Sequence, residues 1–267
     1  MTPQAIAMDL QLTGKTALVL AASKGLGKAC AAALAAEGAN VVIGARNPDT
    51  LDAAANDIRA VGKGQVLAVP IDVLQPRDAD RIITAAVGEF GRLDILINNA
   101  GGPPFGTFES FDESAWHSAF ELTLLSAVRF SRLAIPHLRK SGSGRIINIT
   151  SLTVLTYLPH SVLSTSLRLG VVGMAKMLSE ELGPDHITVN NVAPGLILTD
   201  RVKDALQPRP GVTEEELLGE RAKSIPVRRI GRPEELAALV TFLASPLAAY
   251  ITGATIPVDG GATRSPL

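Results

Sequence analysis

Cysteine is nearly absent from this 267-residue chain, with Cys30 the single example. One thiol excludes an internal disulfide and any cysteine-cluster metal site. Its place in an Ala-rich run reads as a small buried residue rather than a reactive thiol. Aromatic residues are scarce too, at 4%, so Ala, Val, Leu and Ile must build the core, as in parallel sheets covered on both faces. Neither sign of charge is in excess, with 25 basic against 26 acidic residues. That removes the electrostatic case for a nucleic-acid or anionic-membrane partner. No uncharged apolar run approaches the roughly 18 residues of a membrane span. The opening MTPQAIAMDLQL has no basic start and no sustained apolar stretch, so it reads as a tail over residues 1–11, not a secretory signal. A cytoplasmic protein is expected. His117, His137 and His186 have no partner spacing, so no metal site is expected.

Apolar residues, by contrast, make up 46% of the chain and the mean hydropathy is +0.25, ample for one large α/β domain. The stretch from Thr16 to Leu34 organises it. A β-prone run, Thr16 to Leu20, leads into a turn of small residues: Ala21, Ala22, Ser23, Lys24, Gly25, Leu26 and Gly27. An Ala-rich helical run follows. Strand, tight turn and helix in that order present unpaired N–H groups and a positive dipole end where a pyrophosphate can sit. Gly25 lets backbone approach a phosphate or ribose, and Gly27 lets the helix pack close to the strand. Ala21 stands where the first glycine of such a turn usually lies.

Further strands are expected at Asn40–Ala45, Gln65–Pro70, Leu93–Asn98, Arg145–Ile149, Ile187–Val192 and Ala254–Val258. Helices are expected at Pro48–Val61, Pro76–Phe90, about 112–138, Val162–Leu182, Thr213–Ala222 and Pro233–Leu243. Short strands alternating with longer helices imply right-handed crossovers and a doubly wound, Rossmann-type parallel sheet of about seven strands. The whole chain, 1–267, reads as one dinucleotide-binding domain with a substrate lid at about 200–226. Its crevice should lie beyond the carboxyl ends of the strands, where the strand order reverses.

The residues after each strand therefore carry the chemistry. After the second strand, Ala45-Arg46 offers a cation where an acid would accept the ribose 2′-hydroxyl, and Lys24 can reach the same region. Two cations and no acid favour NADP(H) over NAD(H). Asp72-Val73 can bracket the adenine, or Asp72 can cap a helix.

These stretches, with Asn98-Asn99-Ala100-Gly101, GRIINITS from Gly144 to Ser151, NNVAPGLILT from Asn190 to Thr199 and the closing ITGATIPVDGG, resemble the short-chain dehydrogenase/reductase family. The subgroup resembled is the β-ketoacyl-carrier-protein reductase type, over about residues 12 to 262. The resemblance implies that Asn99, Ala100 and Gly101 steady the central strand and line the adenosine side. It implies that Pro194, Gly195, Ile197 and Thr199 hold the nicotinamide, and that the long helices pair subunits into a homodimer or homotetramer.

The catalytic pattern departs from that family. Ser151 matches its serine. The tyrosine position, thirteen residues on, holds Ser164, and the lysine position four further on holds Arg168. Thr123 stands seven residues after Trp116, where the family has its asparagine. A serine hydroxyl is a far weaker acid than a phenol, and an arginine keeps the charge without releasing a proton. Tyr157 and His160, in the loop between Ser151 and Ser164, are the nearest alternative donors. Two readings stay open: an oxidoreductase acting on a carbonyl or alcohol through a rearranged site, or a catalytically silent relative that binds nucleotide as a sensor or hetero-oligomer subunit.

Overall fold

The computed structural model describes residues 9–204, 206 and 208–264. Residues 1–8 of the expected tail, Ala205 and Gln207 of the expected lid, and residues 265–267 lie outside the described residues. Seven strands form one parallel sheet in the order β3-β2-β1-β4-β5-β6-β7. They are β1 (Thr16–Leu20), β2 (Asn40–Ala45), β3 (Val66–Pro70), β4 (Ile95–Asn98), β5 (Arg145–Ile149), β6 (Thr188–Pro194) and β7 (Thr255–Val258). The order reverses between β1 and β4, so the crevice opens above that pair.

Alternation along each strand feeds two cores. Ala17 and Val19 of β1 face α1 (Gly25–Ala36), α2 (Pro48–Val61) and, near the carboxyl end of the chain, the helix Pro233–Ala244. Leu18 and Leu20 face the other side, where α3 (Pro76–Phe90) and the helices described next supply Ile82, Phe130 and Leu138. Cys30 is wholly buried in the first core, and burial pushes its thiol up to about 12.

The expected long helix at about 112–138 is broken. It forms as α4 (Glu113–Phe120), one π turn at Glu121–Leu125, and α5 (Ser126–Ser141). The Ser126 hydroxyl donates to the Leu122 carbonyl at 2.6 Å, a competing bond where the ladder widens. π turns inside α-helices recur at functional sites because they re-aim a side chain. Here the turn carries Thr123. Then come α6 (Val162–Leu182), α7 (Asp200–Asp204), α8 (Glu214–Ala222) and α9 (Pro233–Ala244). No separate helix was expected at α7. β6 runs two residues beyond its expected end because Gly195 N donates to the Val258 carbonyl at 3.0 Å, prolonging its pairing with β7. β4 starts at Ile95, two residues late, because Asp94 turns its carboxylate to the Thr16 N–H at 2.9 Å.

Candidate active site

The turn after β1 is shaped by close contacts. A Cβ on Gly27 would stand 2.4 Å from the Ala21 carbonyl oxygen and 2.8 Å from Asn99 Nδ2. Only glycine lets α1 start this near the strand. Asn99 Nδ2 in turn donates to the Leu20 and Ala21 carbonyls at 3.2 and 3.4 Å, tying the end of β4 to the turn. Ala21 itself has φ +49°, and Gly25 has φ +58°. No side chain caps the N-terminus of α1, so the first-turn N–H groups of Leu26 and its neighbours stay available to an anion. Ser23 lies half-buried at the same turn, and Ala100 and Gly101 follow Asn99 on the facing wall.

Arg46, beyond β2, is exposed and pairs with no acid among the described residues. Lys24 does pair, with Asp200 of α7 at 3.4 Å, both ends largely exposed. Asp72 caps no helix: its carboxylate accepts the Leu74 N–H at 3.0 Å, and Gln75 stands at the N-cap of α3. The Val73 carbonyl is held by Arg129 Nη1 at 3.0 Å.

Across the crevice, Pro194 ends β6. A Cβ on Gly195 would lie 2.6 Å from the Cβ of Asp259, so glycine permits this crossing. Ile197 is buried and bridges to Gly231. The Thr199 methyl lies 3.5 Å from where a Cβ on Gly25 would stand, so the β1 and β6 ends wall one cleft.

The positions that match the family's catalytic residues also converge. Ser151 Oγ accepts the Thr153 N–H at 3.3 Å, which leaves its own hydrogen free to donate. Ser164 Oγ lies 3.4 Å from Thr153 Oγ1. Arg168, one helical turn further along α6, is buried and gives Nη1 to the Ile149 carbonyl at 2.8 Å. Burial, with the Arg201 guanidinium nearby, pulls Arg168 down to about 10. Its Nε has no partner, and neither have Thr123 Oγ1 and Asn98 Oδ1. All three residues line a cavity of about 20 Å³, the room one water needs.

Tyr157 is 85% exposed, and His160 lies on the surface with φ +59°. Neither side chain is hydrogen-bonded to Ser151 or Ser164, so the loop donors are not assembled with the serines here. The sequence reading passed over Asn148 and Asn191. Asn98 Nδ2 donates to Asn148 Oδ1 at 2.8 Å, Asn148 Nδ2 to Asn191 Oδ1 at 2.9 Å, and Asn191 Nδ2 to Thr255 Oγ1 at 3.1 Å. This buried ladder crosses β4 to β7. Asparagines inside strands otherwise largely apolar were its signal. Arg201 was also missed; it reaches from α7 to the Pro103 carbonyl at 2.9 Å.

The family model described as Enoyl-(Acyl carrier protein) reductase matches residues 20–263. The 3-oxoacyl-[acyl-carrier-protein] reductase of Synechocystis sp. is 37% identical over 252 residues, 94% of this chain and 97% of its own length. L-sorbose reductase from Gluconobacter frateurii, solved with NADPH and L-sorbose, is 33% identical and superposes with a TM-score of 0.92 over 97% of this chain and 100% of that one. A 7α-hydroxysteroid dehydrogenase solved with NADH and 7-oxo glycochenodeoxycholic acid superposes at 0.88 and 30% identity, over 96% and 97% of the two chains. With the fold, the strand-end residues and these likenesses in agreement, the chain belongs to the short-chain dehydrogenase/reductase family.

Proposed function

We propose that this protein is an NADP(H)-dependent oxidoreductase that interconverts a carbonyl and an alcohol with a rearranged acid–base site. The observation that carries the reading is the glycine-walled, uncapped start of α1 facing Thr199, which fits a dinucleotide diphosphate. NADP(H) would lie between Gly25, Asn99 and Thr199 and supply the hydride. One solved relative is complexed with NADPH and another with NADH, so the choice rests on this chain's own residues. Arg46 pairs with no acid among the described residues, and an exposed pair such as Lys24–Asp200 contributes only about 0–1 kcal/mol. Both cations are therefore available to a 2′-phosphate. NADPH should bind at least tenfold more tightly than NADH, about 1.4 kcal/mol, and Arg46→Asp should narrow or reverse the gap. Calorimetry checks this; equal affinities would overturn it.

At the reacting end, the Ser151 hydroxyl has a hydrogen free to donate to a carbonyl oxygen. Arg168 adds a fixed positive charge in a site with little water, where it favours a developing alkoxide. It also stands where the nicotinamide ribose would be held. The alkoxide then takes its proton from solvent at the mouth, because Ser164 is too weak an acid and Tyr157 and His160 face outward. The expected lid at about 200–226 would close that mouth from the α7 side, where Arg201 lies over the Phe105 ring.

The unassembled donors also favour a second reading, a silent relative that binds nucleotide without turnover. One experiment separates the two. Native protein, Ser164→Ala and the double variant Ser164→Tyr/Arg168→Lys are assayed for NADPH oxidation across ketones, quinones and acyl thioesters. The oxidoreductase reading expects slow native turnover, little change in Ser164→Ala, and a rise of at least tenfold in the double variant. Binding of NADPH with no turnover in any of them would establish the silent relative. We further propose a homodimer or homotetramer built on α4, α5 and α6.

A further inference from the structure

Two guanidiniums, those of Arg168 and Arg201, lie close enough in the crevice to repel each other, and neither pairs with a carboxylate among the described residues. Arg168 comes from below, 9% exposed, with Nε unpartnered and Nη2 making no hydrogen bond among the described residues. Arg201 comes from above, on α7. Its Nη2 donates to the Pro103 carbonyl at 2.9 Å, its guanidinium carbon lies 5.5 Å from the centre of the Phe105 ring, and a Cβ on Gly102 would touch it at 2.6 Å. Its Nε and Nη1 make no hydrogen bond among the described residues. The acids around the mouth are engaged elsewhere. Asp200 pairs with Lys24 at 3.4 Å, Glu121 with Arg129 at 3.4 Å, and Asp259 accepts the N–H groups of Gly261 and Thr263 at 2.8 and 2.7 Å.

A buried cation with no counter-charge is costly, and a second cation near it adds to the cost. A bound anion removes both terms. Arg201 Nη2 gives one hydrogen to Pro103 and keeps a second, which with the free Nε–H or Nη1–H beside it forms a planar fork that matches the two oxygens of a carboxylate. We propose that Arg201, with Arg168 beneath it, selects a carbonyl substrate that carries a carboxylate. This deepens the reading above and rests on NADP(H) occupying the crevice. The other source of negative charge there is the cofactor's own diphosphate, and the test tells the two apart.

NADP+ is titrated first into native protein, Arg201→Met and Arg201→Lys by calorimetry. Straight-chain keto acids of about four to eight carbons, and the methyl ester of each, are then titrated into the NADP+-saturated proteins, where ketone and oxidised cofactor cannot react. Native protein is expected to bind acids at least tenfold more tightly than their esters. Arg201→Met should erase that preference and leave NADP+ affinity within twofold, while Arg201→Lys keeps part of it. Equal binding of acid and ester by native protein overturns the proposal. So does Arg201→Met weakening NADP+ tenfold with the preference intact, which would put Arg201 on the diphosphate. If native protein fails to bind NADP+, the cofactor reading falls. The same acids and esters titrated into the unliganded protein then decide the anion site by the same preference.

Discussion

Ala21 holds a left-handed conformation, φ +49°, in a turn where glycine is at ease. An L-residue with a Cβ pays about 1–2 kcal/mol for that region. Ala21→Gly should relieve the strain, partly offset by the greater freedom of glycine in the unfolded chain. The net expectation is a gain of up to about 1 kcal/mol, a rise in Tm of roughly 2–4 °C, read by thermal unfolding. A fall in Tm would mean that the Ala21 methyl contributes packing that outweighs its backbone cost. The turn's type was legible because Gly25 and Gly27 punctuate an Ala-rich run. Its strain was not, because φ is invisible in composition. The neighbouring cations divide in the same way. Lys24 and Arg46 could be named from the sequence, but the engagement of Lys24 with Asp200 depends on α7, a contact across 176 positions that no local pattern encodes.

Among the elements, the strands were legible nearly to the residue, since each is a short apolar run and the inner ones are buried on both faces. The helix at about 112–138 was not. Its apolar period continues across Glu121–Leu125, and the widened turn arises from a hydroxyl competing for a backbone carbonyl. The amide ladder of Asn98, Asn148 and Asn191 joins β4, β5 and β6 inside the sheet and fixes their register more sharply than interchangeable aliphatic neighbours would. Asn148→Ala removes the middle rung. It leaves Asn191 Oδ1 without its donor and deprives Asn98 Nδ2 of one acceptor, with Ser131 Oγ at 2.9 Å remaining. A loss of about 2–4 kcal/mol is expected from denaturant unfolding. A change under 1 kcal/mol would show that water replaces the amide at no cost. At the site, Ser151, Ser164, Arg168 and Thr123 were placed by register alone. The partnerless Nε of Arg168 emerges only from the packing around it.

For the whole molecule, the sheet leaves helix faces unpartnered. Phe120 of α4 and Leu169 and Met177 of α6 are 38%, 47% and 61% exposed, apolar surface that favours a second copy over water. Light scattering at micromolar concentration should give a dimer or tetramer mass. A monomer would refute the assembly proposed above. Arg residues at Leu169 and Met177 together should shift the population toward monomer.

One last consequence follows from α7, which is fastened on both banks of the crevice: Asp200 to Lys24 on the β1 side, Arg201 to Pro103 on the β4 side. Both contacts come from its first two residues, so the start of the helix spans the crevice. A nucleotide lying against Gly25 and Asn99 would sit beneath that span, and a carbonyl compound would meet it from the mouth. On that reading the cofactor is expected to bind first and leave last, an order that product-inhibition kinetics would check.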